Sequence, residues 1–306
     1  SMSLALIFPG QGSQYVGMAK ALAEAEPIAA ETLALADEVL GFGLSRLMAD
    51  GPEAELTVTE NAQPAILAHS VAVLRVIEEQ LGVVAFSAGH SLGEFSAHVA
   101  AGTLSFPDAL ETVRLRGELM RAAGTQTPGT MAAILGLDDE VVDDVCARVT
   151  AGTCVPANFN SRGQVVVSGD ISGVAEGIEL AREAGAKRIL KLKVSGAFHS
   201  PLMESAVKGL GDQLEGTEMQ DPEFPVVSNV TADLVSVADE AHRLLVEQLT
   251  SPVRWRDSIT TMLDAGVTRF IELGPGGVLC GLNRQNAKGV PCHAVGEPAD
   301  VEALDE

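Results

Sequence analysis

This chain of 306 residues is short of positive charge, with 20 lysines and arginines against 42 acidic residues and a net charge of −22. Nucleic-acid binding needs a basic surface that displaces counterions, so that class of function is excluded. An anionic substrate is not excluded, because charges farther apart than a Debye length of about 8 Å are largely screened. Long apolar runs are missing as well. None approaches the roughly 18 residues of a membrane-spanning helix, so the chain reads as soluble, with no membrane partner. The stretch from Ser1-Met2 into Leu4-Ala5-Leu6-Ile7-Phe8 lacks the basic segment and longer apolar run of a secretory signal. The four cysteines (Cys146, Cys154, Cys280, Cys292) form no CxxC pair, and the histidines form no HExxH pattern. No metal site is expected, and the cysteines suggest reduced thiols in a cytoplasm. With 46% hydrophobic and 20% charged residues, the remainder is that of an ordinary globular enzyme.

What is present is an alternation of strand and helix, which favours an α/β architecture. The first strand ends at Pro9-Gly10-Gln11-Gly12-Ser13. Residues 61–81 read as a long helix, Val83–Ala88 as a buried strand, and 92–101 as a helix stopped by Gly102. Pro107 opens another helix that ends near Gly124. The middle third then reads as strand (Met131–Gly136), helix (Asp138–Thr150), two strands (Val155–Asn160 and Gln164–Ser168), helix (Ile171–Ala184) and strand (Lys187–Val194). That β-α-β-β-α-β order is the ferredoxin-like motif. It predicts a small subdomain over residues 125–196, inserted between residues 1–124 and 197–306 of a larger α/β subdomain. Further on, Phe224–Ser228 and Arg269–Glu272 read as strands, the latter followed by Gly274-Pro275-Gly276-Gly277.

The strongest chemical signal is strand, then Gly89-His90-Ser91-Leu92-Gly93, then helix. That context suits a nucleophile elbow, in which a tight turn lifts the serine out at a helix start. The same serine would also serve as a plain helix N-cap. His199 is the expected base. It follows a strand and precedes Ser200-Pro201, a cap-and-proline helix start, and strand ends are where α/β proteins place catalytic groups. His90 adjoins the serine in a sharp turn and points elsewhere.

Arg116 is out of place. Projected at about 100° per residue, the helix from Pro107 gathers Glu111, Arg114, Glu118 and Arg121 on a polar side and puts Arg116 amid Leu110, Val113, Gly117 and Met120. A buried guanidinium needs a partner, either an internal carboxylate or the carboxylate of a ligand. Neither glycine-rich loop contains GK[ST], so neither is a phosphate loop of the Walker kind. Lys187, Lys191 and Lys193 alternate along their strand, with Arg182 and Arg188 nearby. They form either a solvated edge or a basic patch for an acidic partner.

Taken in order, Phe8–Gln14, Gly89–Glu94, Arg116-Gly117, Asn158–Ser161, Ala197–Ser200, Gln248 with Pro252–Trp255, and Glu272–Gly276 resemble malonyl-CoA:acyl carrier protein transacylases and the related acyltransferase domains of polyketide and fatty-acid synthases. The matches cover nearly the whole chain. The resemblance implies an α/β-hydrolase-like core carrying the ferredoxin-like insertion. It makes Ser91 the nucleophile and His199 its base, oriented by a backbone carbonyl from Gln248, with Asn160 near the same histidine. The N–H groups of Gln11 and Leu92 would form the oxyanion hole, and Arg116 would hold the free carboxylate of malonate. Ala197-Phe198-His199 is similar to the malonyl-selective form of that loop, although Gly196 stands where many malonyl-selective synthase domains have His. The implied partners are malonyl-CoA and acyl carrier protein, docked near Arg182, Lys187, Arg188, Lys191 and Lys193. The chain is expected to act as a monomer without a cofactor. Alternatives are a discrete acyltransferase of a polyketide synthase, a serine thioesterase or hydrolase, and a catalytically idle interaction module.

Overall fold

A computed structural model describes residues 2–194 and 196–304; Ser1, Ser195, Asp305 and Glu306 lie outside it. Among the described residues ten strands form two sheets: β1 (Leu4–Phe8), β2 (Val84–Gly89), β3 (Gly129–Leu135), β4 (Cys154–Ser161), β5 (Gln164–Asp170), β6 (Arg188–Lys191), β7 (Val226–Val227), β8 (Leu234–Val235), β9 (Arg269–Leu273) and β10 (Cys292–Val295). The larger sheet runs β10-β9-β1-β2-β7-β8, parallel except for the β7–β8 pair. The central strand β1 is apolar at every position because helices cover both faces of the sheet. Leu4, Leu6 and Phe8 pack with Ala72, Val73 and Ile77, while Ala5 and Ile7 pack with Trp255, Ile259 and Met262.

The smaller sheet runs β4-β5-β3-β6 and is antiparallel throughout. Together with helices Asp139–Arg148 and Ile171–Glu183 it follows the β-α-β-β-α-β order expected from the sequence. Period-two alternation divides its strands between two cores. Ala132, Ile134, Val165 and Val167 face the two helices. Met131, Ala133 and Val166 face the large core around Phe95, Leu110 and Phe198. A short parallel bridge ties the smaller sheet to the segment before helix Trp255–Asp264: the Phe159 N–H donates to the Val253 carbonyl (2.9 Å), and the Val253 N–H donates to the Ala157 carbonyl (2.7 Å). The chain enters and leaves this region at one point, since a Cβ on Gly129 would lie 2.6 Å from the Cβ of Ala197.

Two expectations need correction. The strand read over Lys187–Val194 is shorter, Arg188–Lys191, its ends held by the Lys187 and Leu192 N–H groups donating to the Leu135 (2.8 Å) and Met131 (3.0 Å) carbonyls, after which Leu192 and Val194 pack on the large core. Cys280 and Cys292 are joined by a disulfide with a Cα–Cα distance of 5.5 Å, so reduced thiols remain only at Cys146 and Cys154. Helix Val278–Asn286 folds back from the end of β9 onto β10, which brings two cysteines 12 residues apart within bridging distance. Their spacing carries no motif that announces this.

The two longest helices, Thr59–Ile77 and Phe106–Gln126, cross with Gly117 at the contact. A Cβ there would lie 2.5 Å from the Cα of Glu60 and 3.0 Å from the carbonyl of Thr59. Gly→Ala inside a helix ordinarily stabilises by about 1 kcal/mol. Here the obstacle is backbone, and forced overpacking costs about 1–3 kcal/mol. Gly117→Ala is therefore expected to lower the melting temperature, measured by circular dichroism or calorimetry; a rise would show that the helices separate at little cost.

Candidate active site

The loops after β1 and β2 emerge side by side from the parallel sheet, at the carboxyl ends where such sheets place their sites. The turn after β2 is tight enough to exclude side chains. A Cβ on Gly89 would lie 1.8 Å from the carbonyl oxygen of Gly93, and one on Gly93 would lie 2.2 Å from that of Phe8. These contacts force the Gly-x-Ser-x-Gly spacing and drive Ser91 into the left-handed region at φ 53°, a strained conformation for a non-glycine residue.

Ser91 Oγ lies 2.7 Å from His199 Nε2, and His199 Nδ1 lies 3.0 Å from the carbonyl oxygen of Gln248. A carbonyl only accepts, so Nδ1 carries the proton, and Nε2 presents its lone pair to the serine hydroxyl. His199 is 3% exposed. Burial first, then the positive charge of Arg116, pulls its pKa down to about 3, against the opposing pull of the Gln248 carbonyl. The imidazole is therefore neutral and ready to accept a proton across the physiological range.

The strained turn is held from below. Asn229 Oδ1 accepts from the Ser91 N–H at 2.8 Å, and Asn229 Nδ2 donates to the Gly89 carbonyl at 2.7 Å. Gln248 Nε2 donates to the Ser91 carbonyl (3.1 Å) and to Glu94 Oε1 (2.9 Å), which also accepts from the Asn229 N–H (3.1 Å). Burial raises the Glu94 pKa to about 7, opposed by the Gln248 and Asn229 hydrogen bonds and by Arg116.

Arg116 is 1% exposed and lies behind the serine. One terminal nitrogen donates to Gln63 Oε1 (2.7 Å), and the other donates to Gln248 Oε1 (2.7 Å) and Ser91 Oγ (3.3 Å). Its Nε is buried without a partner. Among the described residues no carboxylate lies within ion-pair distance of it; Glu94 acts on it only through its field. The sequence left an internal salt bridge and a ligand carboxylate open, and the contacts found are with neutral amides.

In front of Ser91 opens a cavity of about 340 Å³, lined by Gln11, His90, Met120, Met131, Asn158, Lys193, Phe198 and His199. Among the described residues neither the Gln11 nor the Leu92 N–H finds an acceptor, whereas that of Ser91 is taken by Asn229. Asn160 is a correction. Its Oδ1 lies 2.7 Å from Nε2 of His90, not of His199, because β4 runs past the far side of the turn and reaches the neighbouring histidine first. Of the basic residues, Lys193 reaches the cavity wall, while Arg182, Lys187, Arg188 and Lys191 lie on the exposed flank around β6, Arg182 paired with Glu179. Asn229 and Gln63 are not marked by the sequence reading, and Glu94 ends a matched stretch but carries no role there. Gln63 has a local signal, an amide inside the apolar run Ala62–Leu67.

A serine bonded to a neutral buried histidine, facing two free N–H groups, is equipped for transfer of an acyl group through a serine ester. The family described as "Acyl transferase domain" matches residues 5–298. The chain belongs to that acyltransferase family. Within it, the chain is 48% identical to the malonyl CoA-acyl carrier protein transacylase of Bacillus subtilis (strain 168), over 98% of this chain and 95% of that one. An acyl carrier protein S-malonyltransferase from Vibrio cholerae superposes with a TM-score of 0.95 at 43% identity, covering 99% of both chains. A malonyl-transacylase solved in complex with its type II PKS acyl-carrier protein gives a TM-score of 0.96 at 42% identity, covering 99% of this chain and 98% of that one.

The low pKa of His199 sets a pH profile. The base works when neutral, hence above its own pKa, so kcat/KM of this acyltransferase is expected to stay level from pH 8 down to about 5. An acid limb near the ordinary histidine value of about 6.5 would contradict this. Stability should decline only below about pH 6.5, the ordinary histidine value. His69, His90, His98 and His199 are buried with lowered pKa values. Their stabilisation is present above about 6.5 and is lost as pH falls toward their folded values, because the unfolded chain takes up protons first. Glu94 and Glu272, both raised to about 7, act in the opposite sense, and partial burial raises Asp139 and Asp143 in that direction too, but the four buried histidines outweigh them between about pH 6.5 and 5. Melting temperatures recorded from pH 7 to 5 check this.

Proposed function

We propose that this chain transfers a malonyl group from malonyl-CoA to the phosphopantetheine thiol of an acyl carrier protein, supplying fatty-acid elongation. The observation that carries the proposal is the position of Arg116, buried 3.3 Å from the nucleophilic oxygen and contacted only by neutral groups. A guanidinium so close to Ser91 suits an acyl group with its own carboxylate one methylene from the reacting carbonyl, and a planar fork is the natural clamp for it. Ser91 Oγ attacks the thioester carbon as its proton passes to His199 Nε2. The oxyanion takes hydrogen bonds from the Gln11 and Leu92 N–H groups, the C–S bond breaks, and CoA leaves as the thiol with the proton from His199. The carrier's thiol then gives its proton to His199 as its sulfur attacks the malonyl ester. The C–O bond breaks and the proton returns to Ser91. Each step exchanges an ester and a thioester, so neither requires a metal or redox cofactor. The Gln248 carbonyl acts as the orienting group for His199, and Asn160 acts through His90.

The order and pairing of β3–β6 support reading residues 125–196 as a ferredoxin-like subdomain set into an α/β-hydrolase-like core of residues 1–124 and 197–306. The exposed flank with Arg182, Lys187, Arg188 and Lys191, next to Lys193 at the cavity wall, supplies positive charge where an acidic carrier would approach a chain of net charge −22. The likeness to a malonyl-transacylase solved with a type II PKS carrier makes a polyketide carrier the second acceptor to test.

Arg116→Lys keeps the charge but loses the fork. The kcat/KM for malonyl-CoA is expected to fall on the order of ten- to a hundredfold, with a much smaller loss for acetyl-CoA. Equal losses on both would remove Arg116 from substrate recognition. Mass spectrometry of the intact protein mixed with malonyl-CoA should show a malonyl adduct on Ser91 that a carrier discharges faster than water does. Rapid loss in water alone would point to a hydrolase.

A further inference from the structure

Arg116 is also the origin of a chain of hydrogen bonds whose direction the guanidinium sets at its first link. A guanidinium only donates, so Gln63 must turn its Oε1 toward it (2.7 Å). That leaves the Gln63 amide nitrogen facing Thr59 Oγ1 at 2.8 Å and Met120 Sδ at 3.4 Å. Thr59 Oγ1 accepts from Gln63 and donates to Gln11 Oε1, at 2.8 Å. Turning the Gln63 amide over would set donor against donor at Arg116 and leave Thr59 without the hydrogen bond it receives. Gln63 is fully buried, and Thr59, 7% exposed, lines the edge of a cavity together with Gln11. The chain starts on helix Phe106–Gln126, crosses the start of helix Thr59–Ile77, and ends on the loop that carries the free Gln11 N–H at the cavity.

We propose that Gln63 and Thr59 are positioning residues, a one-way relay through which the buried charge of Arg116 fixes the Gln11 loop on the oxyanion side of the reaction. The proposal rests on the roles given above to Arg116 and Gln11. Neither relay residue touches the substrate. Cutting the relay misplaces an N–H needed in the transition state and leaves ground-state binding alone, so its signature is a loss in kcat with KM unchanged.

The test uses the full chain and acetyl-CoA as donor, so that Arg116 has no substrate carboxylate to bind. Thr59→Val keeps the shape and removes the hydroxyl. It is expected to slow acetyl transfer about tenfold with KM unchanged, a fraction of what losing an oxyanion donor costs. Thr59→Ser restores the hydroxyl and should recover the rate to within about twofold. With Arg116→Met in place the relay has no anchor, so adding Thr59→Val should cost less than about twofold; this non-additivity is what a merely structural threonine would not produce. Additive losses, an unchanged rate in Thr59→Val, or failure of Thr59→Ser to restore it would each overturn the relay. Arg116→Met is assayed with malonyl-CoA in parallel. If its preference for malonyl over acetyl survives, the carboxylate reading fails and the relay falls with it. If that preference is lost while the acetyl cycle is additive, only the relay fails.

Discussion

A full positive charge on the apolar side of a helix sets conditions that the rest of the site meets. Desolvation disfavours the charged guanidinium, and its pKa is lowered to about 10, still far above neutrality, so Arg116 stays charged where it is buried. Two amide oxygens, the ring of Phe95 and the distant field of Glu94 surround it. None of these brings a full negative charge into contact, and this keeps the arginine available to an incoming carboxylate. The same charge adds to the burial that keeps the imidazole of His199 neutral. Recognition of the acyl group and readiness of the base thus both draw on Arg116.

Gln248 links these functions through two of its groups. Its backbone carbonyl sets the tautomer of His199, while its side-chain amide joins Arg116 to Glu94 and to the carbonyl of Ser91. The arginine, the base and the strained serine turn are therefore braced by one residue. A serine held at positive φ needs such bracing, because its strain persists only where the surroundings over-determine it.

How much of this the sequence displays depends on how local each cause is. The Ser91 turn is legible because its glycines answer to contacts within a few residues and with the adjacent strand. Arg116 is legible because a charge violates the periodicity of its own helix, and His199 because a strand end and a helix cap flank it. Asn229 and Glu94 meet from positions 135 apart, and no spacing in the chain announces the pair. Asn160 was matched to the wrong histidine because proximity to a catalytic pair does not say which member is touched. The cysteines fail for the same reason, since their pairing is made by the return of a helix onto β10.

The pinch between Gly129 and Ala197 has a wider consequence. The chain from residue 130 to 194 leaves the rest at Gly129 and rejoins it beside Ala197, with His199 just past that point. Met131, Asn158 and Lys193 line the cavity from within the suspended part, whereas the nucleophile, base and arginine all belong to the remainder. A part whose two ends meet can be exchanged for another without rerouting the chain that does the chemistry. The wall that meets the incoming molecule can thus vary where Met131, Ala133 and Val166 keep their packing on the large core.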